Sequence, residues 1–205
     1  MTIINKGFQG KGGTNPERLP PGQTQVTGWP VLTYGPTPQI DREKWSLTID
    51  GAVNTPITLS WEEFNNLPKT ELATDIHCVT RWSKFDMKWN GVSLDELIGL
   101  AGGLTKDAQH VIAETVEGYT TNVPVRDVIN NQAMVATYAD GEPLSPEHGG
   151  PARLFVPHLY FWKSAKWIQR LTFTKEDHPG FWEVNGYHNY GDPWKDERYS
   201  DDQGW

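Results

Sequence analysis

Apolar and polar positions alternate in short runs along this chain. Trp45–Asp50 (WSLTID) alternates and is β-branched, and Ile168–Thr174 alternates in the same way, so both predict strands. Further strands are expected over Glu71–Ile76, His110–Val116, Tyr119–Val123, Ala133–Tyr138 and Arg153–Val156, with Gly51 opening a turn toward Ile57–Leu59. Two capping boxes, Ser60-Trp-Glu-Glu63 and Ser93-Leu-Asp-Glu96, predict helices to about Leu67 and Ala101. Pro68 stops the first and Gly102-Gly103 the second. Asn90-Gly91 reads as a turn, and Pro124 as the first position of a helix to about Asn131. Three prolines in Trp29–Ile40 make a stiff, shaped loop, and Asp140–Pro151 is a long polar one. Met1 to Gly28 reads as an irregular arm, and 29–205 as one domain with a loop-rich, aromatic tail from Lys175. Strands and short helices without regular βαβ spacing predict an α+β fold of mixed sheets. Gly10-Lys11-Gly12-Gly13 has no strand before it and fails as a phosphate-binding fingerprint.

The 205 residues suit one sizeable domain. Ten tryptophans, seven tyrosines and seven phenylalanines fit a packed core, an aromatic-walled cavity, or both. The net charge of −8 argues against nucleic acid as the main partner but leaves room for a local basic pocket. One cysteine excludes an internal disulfide framework. The first residues carry no apolar run of signal-peptide length, and no stretch approaches the roughly 20 residues that span a bilayer. A cytoplasmic protein without a membrane span is the expectation.

That cysteine, Cys78, ends a predicted strand in the stretch DIHCVTRWS. A free cysteine is most often a small buried apolar residue; at a strand end beside Arg81 and Trp82 it is also a candidate ligand or nucleophile. The six histidines show no metal-binding helix pair, and no spacing supports a zinc site with His77 and Cys78. A thiolate–imidazole pair of Cys78 with His148 or His158 lacks a recognised signature around it. Arg153 opens an apolar strand after a Gly-Gly-Pro turn, and Lys163 and Lys166 flank Ser164-Ala165 among aromatics. A charge in apolar surroundings needs a partner. A protein carboxylate is the commoner partner, a ligand phosphate the other.

Three segments in order, HCVTRWS, EHGGPARLFVP and HLYFWKSAKW, resemble the molybdopterin-binding domain of the sulfite oxidase family, and within it the short bacterial sulfite-oxidase-like oxidoreductases. The likeness runs from about Trp29 to Trp194, and HPGFWEVNGYHNYGDPW is similar to the closing segment of that subgroup. It implies molybdenum on molybdopterin with Cys78 as the protein's sulfur ligand, a role that suits a soft thiolate. Thr33 and Tyr34, Thr115, His148, Arg153 and the segment Lys163, Ser164, Ala165, Lys166 fall at positions that contact the pterin or its phosphate. Many relatives carry histidine or asparagine near Thr33 and Tyr34, and this chain departs from them there. The implied reaction is two-electron oxo transfer on a small substrate, a sulfite-like anion or a sulfoxide. His77, Arg81, Tyr187 and His188 are expected around the substrate. The chain is too short for the haem and dimerisation domains of long relatives, so a monomer with a separate electron donor or acceptor is expected. A non-catalytic cofactor-binding protein and a metal-free aromatic-cleft module are the alternatives.

Overall fold

A computed structural model describes residues 16–200, beginning with a 3₁₀ turn at Pro16–Arg18. The strands in chain order are β1 (Thr24–Gln25), β2 (Ser46–Gly51), β3 (Ile57–Ser60), β4 (Thr70–His77), β5 (Trp82–Ser93), β6 (His110–Thr115), β7 (Thr120–Pro124), β8 (Met134–Ala139), β9 (Glu142–Pro143), β10 (Arg153–Phe155) and β11 (Ile168–Thr174). The helices are short: α1 (Trp61–Asn65), α2 (Leu94–Leu100) and α3 (Phe181–Val184).

The strands form two mixed sheets, as expected. In the first, the order is β1-β5-β8-β10, with β4 on β5 and β9 on β8. In the second, the order is β3-β2-β11-β6-β7, with β11 parallel to β2 and antiparallel to β6. One apolar core joins the second sheet to α1 and α2 through residues such as Leu47, Phe64, Leu97 and Leu171. A second core, rich in aromatics, lies beneath Cys78 and includes Trp82, Met87, Trp89 and Phe155.

Local chemistry explains the elements. Both hydrogen bonds of the Ser60–Glu63 capping box form and open α1. At α2 the Ser93 hydroxyl accepts from the Glu96 amide at 3.2 Å, and Gly102 and Gly103 then leave the helix with positive φ. The helices stop at Asn65 and Leu100, slightly short of the predicted ends.

Three expectations change. Asn90-Gly91 is not a turn, because β5 runs through it. A Cβ on Gly91 would lie 2.2 Å from the Val135 carbonyl oxygen, so glycine here serves a close strand approach at a register shift. The reversal lies earlier, at Cys78–Arg81, where the Cys78 amide donates to the Trp82 carbonyl and Arg81 takes φ 73°. Pro124 ends β7 and is followed only by a 3₁₀ turn, Val125–Asp127. Asp95 captures the amides of Asn130 and Asn131 at 3.0 and 2.6 Å, which turns the chain instead of extending a helix. Finally, the later part of the arm is structured; residues 1–15 lie outside the described residues. β1 adds to β5 in parallel register, Thr24 opposite Trp82 and Gln25 opposite Ser83. Arg18 binds Asp75 and Asp86. No two-residue strand has a period to read, so only the bare edge of β5 explains it.

Candidate active site

The β4–β5 hairpin tip carries Cys78 into a cavity of about 410 Å³. Its Sγ lies 3.2 Å from the Thr80 hydroxyl, and the side chain is nearly buried. Burial pushes the thiol pKa up, while the Thr80 hydrogen bonds and the Arg198 and Lys166 cations pull it back.

Facing it are two cations. Arg153, at the start of β10, is 1% exposed. It donates to the carbonyls of His148 (2.8 Å) and Ser164 (2.6 Å), and its guanidinium sits 4.1 Å from the Phe161 ring centroid. Its Nε has no hydrogen-bond partner, and no carboxylate pairs with it among the described residues. Burial lowers its pKa to about 9. Lys166 donates to the Thr33 hydroxyl and the Glu147 carbonyl, each at 2.7 Å. Burial, then the Arg153 charge, lowers its pKa to about 7.

His148 stacks on Trp29 with centroids 3.8 Å apart, and burial lowers its pKa. Thr115 ends β6 and accepts from the Tyr119 amide at 3.1 Å. The Ser164 hydroxyl accepts from the Val156 amide, which leaves Ser164 and Ala165 as the small floor between the cations. Tyr34 lies at the mouth, 62% exposed, 4.8 Å from Phe181. Tyr187 stacks on Trp182 (4.8 Å) and meets Trp162 edge-on (5.0 Å); burial pushes its phenol up to about 12.

Thus Thr33, Tyr34, Cys78, Thr115, His148, Arg153, Ser164, Ala165, Lys166 and Tyr187 share one cavity. Four expected residues lie outside it. The His77 ring is buried against the Ser83 hydroxyl (2.8 Å) and Trp194, and burial lowers its pKa to about 4. Arg81 is exposed, its left-handed backbone turning the guanidinium toward Gly22. The His188 Nδ1 accepts from the Tyr190 and Gly191 amides, both at 3.1 Å. Lys163 points away from the cavity into a buried ion pair with Glu183 at 2.6 Å.

Sequence reading alone did not single out Trp29, Thr80, Phe161, Trp162 or Trp182 as cavity residues. The adjacent aromatic pairs Phe161-Trp162 and Phe181-Trp182 were the available signal. Gly191 permits one of these walls: a Cβ there would lie 2.7 Å from the Trp162 ring.

A buried guanidinium with an orphaned Nε, a second basic side chain at Lys166 and a lone thiol on an aromatic cavity suit an anionic group that also accepts a sulfur donor. A pterin dithiolene with its phosphate fits that donor set. Residues 34–182 match the oxidoreductase molybdopterin binding domain, and the chain belongs to this family of molybdopterin-binding oxidoreductases. It is 47% identical over 184 residues to "Uncharacterized oxidoreductase YuiH" of Bacillus subtilis, covering 89% of this chain and 92% of that one. It is 28% identical over 166 residues to the protein-methionine-sulfoxide reductase catalytic subunit MsrP of Campylobacter jejuni, covering 73% of this chain and 55% of that one. The fold also matches the crystal structure of the sulfane dehydrogenase SoxCD from Paracoccus pantotrophus, with a TM-score of 0.62 and 24% identity, over 68% of this chain and 40% of that one. The chain therefore spans little more than half of MsrP and less than half of the SoxCD chain. Among the described residues no helix is long and apolar enough to cross a membrane.

Proposed function

We propose that the protein holds molybdenum on molybdopterin, with Cys78 as the protein's sulfur ligand, and uses it for two-electron oxo transfer on a small neutral substrate such as a sulfoxide. The observation that carries this reading is the lone thiol facing two cations, Arg153 and Lys166, that no carboxylate pairs among the described residues. Arg153 would grip the phosphate, Lys166 would add charge, and Thr33, Thr115, His148 and the Ser164–Ala165 backbone would frame the pterin. The bound cofactor supplies the two-electron chemistry at the metal; the chain supplies position, desolvation and electrostatics.

Subtraction favours a sulfoxide over sulfite. The cavity's cations are Arg153 and Lys166, beside His148 with its lowered pKa. Once a phosphate takes both, no other lysine or arginine among the described residues lines the cavity to hold a substrate anion, since Arg81 faces away. What remains near Cys78 is Tyr187 and the Trp162 and Trp182 walls, which suit a neutral, polarisable sulfur compound. The MsrP relative bears a name of this class. The reaction balances as sulfoxide plus two protons and two electrons giving sulfide and water, with a separate carrier delivering the electrons.

The test is bound molybdenum by plasma mass spectrometry on protein from cells able to make the cofactor. Loaded protein is then assayed for sulfoxide reduction with reduced viologen and for sulfite oxidation with ferricyanide. Near-stoichiometric metal and sulfoxide turnover support the reading. Absence of metal and pterin in folded protein overturns it, and sulfite turnover overturns the substrate choice.

Two further outcomes are expected. Arg153→Met lowers cofactor affinity by about 10–100-fold, the worth of a lost charge-assisted contact; pterin content after dialysis reads this. Lys166 gives the second. Folded, it titrates near 7, against about 10.4 in the unfolded chain. Between these values the unfolded chain holds more protons, so the stability of cofactor-free protein rises with pH across that window and the penalty is complete below it. Urea titrations at several pH values should show a shallower rise in Lys166→Met; an unchanged slope would show that the lysine is well solvated.

A further inference from the structure

The hairpin tip that bears Cys78 is held from behind by both ends of the described chain. The Gln23 side chain donates to the Cys78 carbonyl at 2.9 Å. Arg198 donates from Nη1 to the Val79 carbonyl and from Nη2 to the Pro21 carbonyl, both at 2.7 Å. Its Nε donates to Asp196 at 2.6 Å, and its guanidinium lies 5.0 Å from the Tyr160 ring centroid. At 2% exposure it is a buried cation that does not line the cavity. Pro21, Gln23 and Arg198 all fall outside residues 34–182, so the family match assigns them nothing.

We propose that Arg198 is a positioning residue for Cys78, fixing the tip that presents the sulfur and biasing the charge at that sulfur from the side away from the cavity. The inference rests on the metal reading above. A charge-assisted bond to the carbonyl next to the ligand residue restrains the tip in addition to its own turn hydrogen bonds. The buried guanidinium, only partly offset by the half-exposed Asp196 carboxylate beside it, also adds positive potential at the sulfur. Positive potential favours the more reduced metal, so removing the cation lowers the midpoint potential. A role confined to tying the chain ends together would lower stability but move neither the potential nor the spectrum.

The experiment compares wild type, Arg198→Met and Arg198→Lys as full chains from cofactor-producing cells. Arg170→Met, which removes a surface pair with Asp50, is the control. Molybdenum content, the visible sulfur-to-metal absorption band, the midpoint potential and steady-state constants are measured. Arg198→Met is expected to shift the band, lower the potential and reduce kcat by about 10–100-fold with KM little changed. Arg198→Lys keeps the charge and so most of the potential, but its single amine cannot span both carbonyls, so its band still shifts. A metal-loaded Arg198→Met with wild-type band and potential overturns the proposal. If that variant does not fold, a wild-type band in Arg198→Lys overturns it equally. Wild-type protein without molybdenum overturns the metal reading and this inference with it. Loaded wild type with indistinguishable variants overturns this inference alone.

Discussion

Cys78→Ser is expected to fold, to retain pterin and to lose turnover by at least about 10³-fold, or about 4 kcal/mol of barrier. On the proposed ligation the loss follows from donor chemistry, since a hard oxygen would replace the soft sulfur. Folding should change by about 1 kcal/mol or less, because the Thr80 hydroxyl that meets Sγ at 3.2 Å can partner a serine hydroxyl equally well. Metal analysis, the visible spectrum and thermal melting separate the two effects. Wild-type turnover with an unaltered spectrum would remove Cys78 from the metal.

The largest effect on stability is expected at Glu183. Its Oε1 takes the Lys163 ammonium at 2.6 Å, the Trp162 indole N–H at 2.8 Å and the Thr121 hydroxyl at 3.1 Å. Both members of the ion pair are 1% exposed at the side chain. Glu183→Leu strands the lysine charge in the interior and should cost about 3–5 kcal/mol in urea unfolding. Adding Lys163→Met should return much of that, because an apolar pair needs no compensation. If the single variant unfolds at the wild-type midpoint, the pair is not buried in solution. Trp162 walls the cavity, so Glu183→Gln, which keeps an acceptor for the indole, should preserve turnover better than leucine.

Lys163 also shows where sequence reading stops. FWKSAKW offers two lysines in equivalent surroundings, and nothing local says which faces a ligand. The 3₁₀ turn at Phe161–Lys163 sends Lys163 to Glu183, Asn122 and Asn189, residues 20 to 41 positions away in the chain, while Lys166 emerges in the cavity. Arg81 illustrates the same limit: three residues from the cysteine, it is aimed elsewhere by a single positive φ. Most strands were legible because alternation is local, and so were the two capped helices; β5 was not, because Asn90-Gly91 within it carries a turn signal, and β1 and β9 are too short to show a period. Gly91 was misread because a glycine needed for a close strand crossing carries the same letters as one needed for a turn. Arg198 and Gln23 had no signal, since a grip on a backbone carbonyl leaves no pattern in the sequence.

The order of the second sheet has a consequence for biosynthesis. β2 with β3, and β6 with β7, are hairpins that can pair as soon as they are made, but β11 joins them only after residue 174. Until then each hairpin keeps a bare edge, a hazard for the nascent chain. The Cys78 tip waits longer still, for Arg198. Completion of the Cys78 site is therefore expected only after nearly the whole described chain has been translated.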